Sequence, residues 1–474
     1  MPALPCRANL FQGDRELYRF LLNCQEQSLR KRESVIVSWS QEIELIDPLA
    51  VLQVAIQLSS KAWHFYWENA REEEAVFAFE TAHILEIETG ERFLRSKEFV
   101  RNCLKQIVRT GEESLPWAGP HFFANFTFFE GRRESGSPFP SATLVLPEFQ
   151  VARRGNRATV TYHFAIDDRA NLEAIFERRS RYFEWIESGR KQHSGLLSRS
   201  SAIAIEVPDD GAERFAKAVK SALHEIDRDR YSKIVLARAL EVVSPVPFQL
   251  AESIDNLRRD RPDCYIFSAS NGRGINFIGA SPERLMCVRD RQFIADALAG
   301  SAPRGGTPGE DSAIAQKLLH GEKERREHEA VSDFIDRRLQ ELGLQPARSP
   351  LQLLQLPNIQ HLRTTFQGQV PDRIHPLDIV AKLHPTPAMA GVPTAAACER
   401  IRRYEPCDRS LYAAPLGWID GNGNGEFIVG IRSAFIQGDR ARLYAGAGIV
   451  AGSDPHKELA EVQLKLQTIL KALA

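Results

Sequence analysis

Several things are scarce in this sequence. Its seven cysteines are an odd number and no two stand as C-x-x-C, which argues against a disulfide framework and a structural zinc site. Reduced, buried thiols are the expectation. No apolar run approaches the ~18 residues that a membrane-spanning helix needs. The start, "MPALPCRANLFQGDREL", has no apolar signal core, and its acidic residues speak against an organelle transit peptide. Charge of one sign is also missing. The formal net charge is -1 and the pI about 6.9, so no bulk field favours nucleic acid or an acidic membrane. There is no G-x-G-x-x-G or Walker A loop, no G-x-S-x-G elbow and no H-E-x-x-H. The expected compartment is the cytoplasm.

What is present is core material. With 474 residues, 43% of them hydrophobic and 26% charged, the composition is that of a globular protein. Length alone suggests roughly three domains. "DPLAVLQVAIQLSS" is apolar at helical spacing, with Asp47 as N-cap. "AVFAFETAHILEI", "HFFANFTFFEG" and "ATLVLPEFQVARRGNRATVTYHFAI" read as strands, the last with a hairpin at "RRGNRA". A polar stretch over about 188–204 is the best linker candidate. An amphipathic helix follows, then "SKIVLARALEVV", a strand of alternating character. "DCYIFSAS", "INFIGASPERLMCV" and "QFIADALAGSAPRGG" are further strands joined by turns, and "GNGNG" marks another hairpin. Most turns join adjacent strands. The expected class is therefore α+β: large antiparallel sheets packed as a sandwich, with helices outside.

The chemistry-bearing residues stand out against this background. "GEKERREHEAVSDFIDRRL", from Gly321, puts Glu324 and Glu327 three apart on one helix; Glu458 and Glu461 repeat the spacing on the last helix, which Asp454 or Ser453 can cap. Either both are solvated helix faces, or four carboxylates meet around a hard divalent ion such as Mg²⁺. Lys233 lies in an apolar strand: a buried general base, or a strand-end lysine reaching solvent. Glu283, at a turn, is a partly buried general acid or a surface residue paired with Arg284. Arg432, a charge inside an apolar strand, suits a substrate carboxylate. Gly446 and Gly448 let backbone N–H groups approach an anion, or simply supply small residues under a helix. His361 and His384, without partners at metal-ligand spacing, read as core or turn histidines.

Taken together, the segments resemble the chorismate-utilising enzymes, the isochorismate synthases most closely. "SKIVLAR", "FIGASPERL", "ALAGSAPRG", "KERREHE", "NIQHLRTTFQG", "LHPTPAMAGVPT", "GWIDGNGNGEFIVGIRSAF" and "YAGAGIVAGSDPHKELAEVQLKL" occur in that family's order over about residues 200–474. "WHFYWEN", "FANFTFFEG" and "LVLPEFQV" match more loosely. The resemblance implies one α/β body, with 201–474 as the chorismate-binding catalytic region and 1–200 as an N-terminal part of it. It implies Mg²⁺ held by Glu324, Glu327, Glu458 and Glu461, with Glu327 and Glu461 as direct ligands and Glu329 left on the solvated face. It implies Lys233 as base and Glu283 as acid for adding water at C2 of chorismate and expelling the C4 hydroxyl. Arg432 and Tyr412, assisted by Gly446 and Gly448, would hold the enolpyruvyl carboxylate; His361, Ala388, Gly300 and Ser301 would line the ring pocket. Ala299 stands where aminodeoxychorismate synthases carry a lysine, and no L-L-E-S motif of anthranilate synthases is present, so no glutaminase partner is expected. A monomer or weak homo-oligomer is expected. Salicylate synthase, whose members tend to have Thr at the place of Ala388, then an anthranilate synthase large subunit or a catalytically silent ligand-binding relative, are the alternatives. Some isochorismate synthases have Phe at the place of Tyr412.

Overall fold

The computed structural model describes residues 12–131, 136–192, 211–356 and 359–473. Among these, the strands build two sheets, one of twelve strands and one of ten. Every pairing is antiparallel except Val35–Ile43 beside Ile107–Gly111. Both sheets draw on both ends of the chain. In the larger, Tyr265–Ser270 pairs with His64–Asn69; in the smaller, Pro415–Asp420 pairs with His121–Phe126. The size-based expectation of three domains therefore fails, because the strands of 35–166 and those of 233–450 share the same two sheets. The proposed linker is partly helix, since Leu172–Gln192 runs through its start; 193–204 lies outside the described residues.

Alternation of side chains along the strands makes the sandwich. Along His121–Phe126, Phe123 faces the other sheet, its ring 4.9 Å from that of Phe65. Phe122, Ala124 and Phe126 face the opposite way, into a second core under three helices, Arg92–Gln106, Glu322–Glu341 and Pro376–Leu383. The charged helix Glu322–Glu341 is tied down by Val331, Phe334, Ile335 and Leu339, spaced three and four apart. Burying each such side chain contributes about 1.5–3 kcal/mol. The glutamates lie on the turns before this anchored stretch.

Several expected details hold. Asp47 accepts from the N–H of Leu49 and starts the helix Pro48–Leu58. Asp454, rather than Ser453, caps Pro455–Leu473, accepting from the N–H groups of His456 and Lys457. The hairpin at "RRGNRA" joins Phe149–Arg154 to Arg157–Ile166. One detail differs. Lys233–Val243 does not alternate at its start: residues 233 to 238 are all buried, because the strand lies inside the twelve-stranded sheet with helices against it.

Candidate active site

Two corners of the sandwich create the site. The chain leaves the larger sheet after Asn276–Ser281, turns through Pro282 and Glu283, and enters the smaller sheet as Arg284–Arg289. It makes the reverse crossing from Gly425–Val429 through Arg432 into Ser433–Gln437. The corners are stitched together. Val429 N–H donates to the Glu283 carbonyl, and Ala280 N–H to the Arg432 carbonyl, each at 3.1 Å. Ser281 Oγ donates to the Val429 carbonyl at 2.6 Å. Arg432 sits at φ +51°, a conformation that costs a non-glycine residue about 1–2 kcal/mol, and the stitching holds it there.

Glu283 is 5% exposed, so the surface-turn reading fails, and Arg284 pairs with Asp296 instead. Burial pushes the Glu283 carboxyl up to about 8; Lys233 opposes this, Asp296 adds to it, and Arg432 opposes it. Lys233 is likewise 5% exposed and does not reach solvent. Its amino group donates to Glu327 Oε1 at 2.5 Å. Beside this pair lies Gly448, where an added Cβ would stand 3.1 Å from Lys233 Cε and 3.5 Å from Glu327 Oε1. Gly446 is packed as closely, 3.1 Å from the Tyr412 hydroxyl on the same construction. The Tyr412 ring stacks on Tyr444.

The two glycines also present backbone. Val235 and Ala237 face Gly448 and Gly446 across the ladder, yet donate their N–H groups to Ala390 and Glu405 on the far side. In an antiparallel ladder these are non-hydrogen-bonded pairs. The N–H groups of Gly446 and Gly448 therefore point away from the Lys233 strand, past the place where the next strand begins at Ser433.

On the other wall, Ser301 Oγ lies 2.7 Å from His361 Nδ1, and Arg432 Nη2 lies 3.5 Å from His361 Nε2. Burial pushes His361 down to about 3, so the ring is neutral and bridges the two. Gly300 at φ +80° packs against Leu362, with the Glu324 carbonyl 3.4 Å from its Cβ position. Ala388 is half-buried, in a loop whose Ala390 carbonyl meets Val235. His384 is a core histidine facing the Phe128 carbonyl.

The glutamates stand as two pairs. Glu327 is met by Lys233, and Glu461 by Lys465 at 2.7 Å. Glu458 is raised in proton affinity, first by burial and also by the neighbouring Glu461, while Ser453, Lys323 and Lys465 oppose. Lys323 comes from the other glutamate helix. Among the described residues no group of three or more His, Cys, Asp or Glu stands at metal-ligating spacing. The donor chemistry, hard carboxylate oxygens with lysines drawn to Glu327, Glu458 and Glu461, nevertheless fits a hard divalent cation. Glu329 is exposed and pairs with Arg348.

Lys465 and Asp296 were missed in the sequence. Lys465 carried a signal, being four residues after Glu461 on one helix. Asp296 carried the same signal as Lys233, a charge inside an apolar strand. A cavity of about 780 Å³ opens elsewhere, lined by Asn276 and Gln437 at the far ends of the two corner strands and by His64 of another strand; Lys233, Glu283, Arg432 and the four glutamates do not line it. Volume without the lysine, acid and glutamates does not make it the reaction site.

The corners bring the buried Glu283 carboxyl together with Lys233 and Arg432. The chain belongs to the family described as chorismate binding enzyme, whose profile matches residues 20–474. It is 30% identical over 463 residues to isochorismate synthase MenF of Bacillus subtilis, covering 96% of each chain. It is 33% identical over 451 residues to the salicylate biosynthesis isochorismate synthase of Pseudomonas aeruginosa, covering 93% of this chain and 90% of that one. The fold is that of MenF, the menaquinone-specific isochorismate synthase of Escherichia coli, with a TM-score of 0.74 at 24% identity over 96% of this chain and 100% of that one.

Proposed function

We propose that this protein is an isochorismate synthase, converting chorismate to isochorismate. The observation that carries the reading is the pair of buried groups Lys233 and Glu283, the acid held neutral at pH 7 by its burial. Residues 201–474 form the catalytic region on this reading, and 1–200 complete the same body.

Chorismate enters with its enolpyruvyl carboxylate toward Arg432, Tyr412 and the N–H groups of Gly446 and Gly448. His361, Ala388, Gly300 and Ser301 lie along the ring. Lys233 first releases to solvent the proton it directs at Glu327 and then, neutral, takes one from water as the oxygen bonds to C2. The ring double bonds shift, the C4–O bond breaks, and Glu283 protonates the departing hydroxyl. Water is gained and lost, so the reaction is an isomerisation. Glu327 and Glu461, with Glu324 and Glu458, would hold Mg²⁺, which supplies positive charge for the ring carboxylate. No glutaminase partner is needed, because no ammonia is used. The protein works in the cytoplasm, as a monomer or weak homo-oligomer.

The test is incubation of purified protein with chorismate and Mg²⁺, with products separated by chromatography. The expected product is isochorismate, lost when EDTA removes the metal and unchanged by ammonium. Salicylate with pyruvate, anthranilate, or no turnover would overturn the reading.

A further inference from the structure

The reaction needs Glu283 both fixed and neutral, and a residue that no step uses bears on both. Asp296 lies in the strand Gln292–Pro303 and is 9% exposed. Arg284 donates to its Oδ2 from Nε at 3.1 Å and from Nη2 at 2.9 Å. Arg363 approaches Oδ1 with Nε at 3.0 Å and Nη2 at 2.9 Å. Thr365 Oγ1 donates to the same oxygen at 2.9 Å. An ionised carboxylate is acceptor-only, so this set of donors describes a charged Asp296.

Register explains the convergence. Across the ladder Asp296 faces Thr365, Leu298 faces Arg363, and Ser301 faces His361. Thr365, Arg363 and His361 alternate along one strand and share a face. Arg284 directly follows Glu283. Asp296 thus ties the chain beside the acid to the strand that carries the ring-facing histidine. A buried ion cluster is poor value as a stabiliser, since apolar side chains of similar size do as well. Its position gives it a role.

We propose that Asp296 is the positioning residue for Glu283, anchoring Arg284 and Arg363 so that the acid is held at the sandwich corner with a fixed negative charge behind it. The inference rests on Glu283 being the general acid. The groups that face Glu283 are Lys233, Asp296, Arg432 and Tyr412. Lys233 and Arg432 favour its ionised form, and Tyr412 is kept neutral by burial. Asp296 is the charged group among them that favours the protonated acid.

The experiment is the pH profile of kcat and KM for chorismate turnover by the full-length, Mg²⁺-supplied enzyme. Asp296→Asn keeps the shape and removes the charge. The alkaline limb should move to lower pH by about one unit, as loss of one nearby like charge implies. At pH 8 kcat should then fall about fivefold, with KM within about twofold, because the acid acts only in the transition state. Arg363→Gln loosens the cluster but keeps the charge, so its limb should not move down. Should Asp296→Asn fail to fold, the double variant D296N/R363Q is compared with R363Q alone, and the same downward shift is expected. An unmoved limb, or an equal downward shift in Arg363→Gln, overturns the inference. Glu283→Gln separates the two levels. If it stays active, the underlying reading falls. If it is dead while Asp296→Asn leaves the limb unmoved, only the role of Asp296 falls.

Discussion

Lys233 meets its chemistry through contacts of a few ångströms, so small additions should be costly. Gly448→Ala places a methyl 3.1 Å from Lys233 Cε and beside Glu327. Turnover should drop by on the order of a hundredfold, the cost of about 1 Å of misplacement. Thermal unfolding should move little; a large drop in Tm would mean that the strand itself fails. Lys233→Ala and Glu283→Gln should each lower kcat by about 10²–10⁴, measured under saturating chorismate. Lys233 and Arg432 were legible as charges inside apolar runs. Asp296 was equally visible but had no visible purpose. Its donors lie 12, 67 and 69 residues away, and only sheet register brings them to one face.

At the scale of elements, the Lys233 strand is held by a buried ion pair. Arg409 bonds Glu405 and the carbonyls of Met389 and Val235, while Glu405 accepts the N–H of Ala237. Arg409 is 1% exposed. Arg409→Ala should cost about 3–5 kcal/mol, since it takes the guanidinium away from the buried Glu405 carboxylate. Urea unfolding measures this; a loss below about 1 kcal/mol would refute the keystone role. Helix caps, hairpins and the charged helix were legible because their signals are local: Asp47, "RRGNRA", the spacing of Val331, Ile335 and Leu339. The turn at Glu283 was legible too. That its two flanking strands belong to different sheets was not, because a strand's sequence records its burial and not its partner.

The whole molecule should lose stability in mild acid. Burial pushes His64, His121 and His375 down to about 4, and His163, His361 and His384 down to about 3. Unfolded, each binds a proton near pH 6.5. Stability contributed by the neutral rings is whole above about 6.5 and drains as pH falls toward 3–4, where the unfolded chain binds more protons. Glu283, Glu68, Glu148, Glu426 and Glu458, raised by burial, work in the opposite sense, but the six histidines outnumber them. Urea midpoints should therefore fall steadily between pH 6.5 and 5; a flat profile would contradict this.

Among the described residues no helix is long and apolar enough to cross a membrane. The sequence by itself determined the α+β class, the caps and hairpins of several elements, and the residue types on which a chorismate site would draw. These depend on periodicity, turn chemistry and ordered motifs, all written along the chain. Tertiary structure alone decided that three domains' length makes two shared sheets, and that Glu283 and Arg432 face each other across paired corners. It also decided that Lys233 spends its charge on Glu327. Those are contacts between residues tens to hundreds apart, and a linear pattern carries no distance between its own segments.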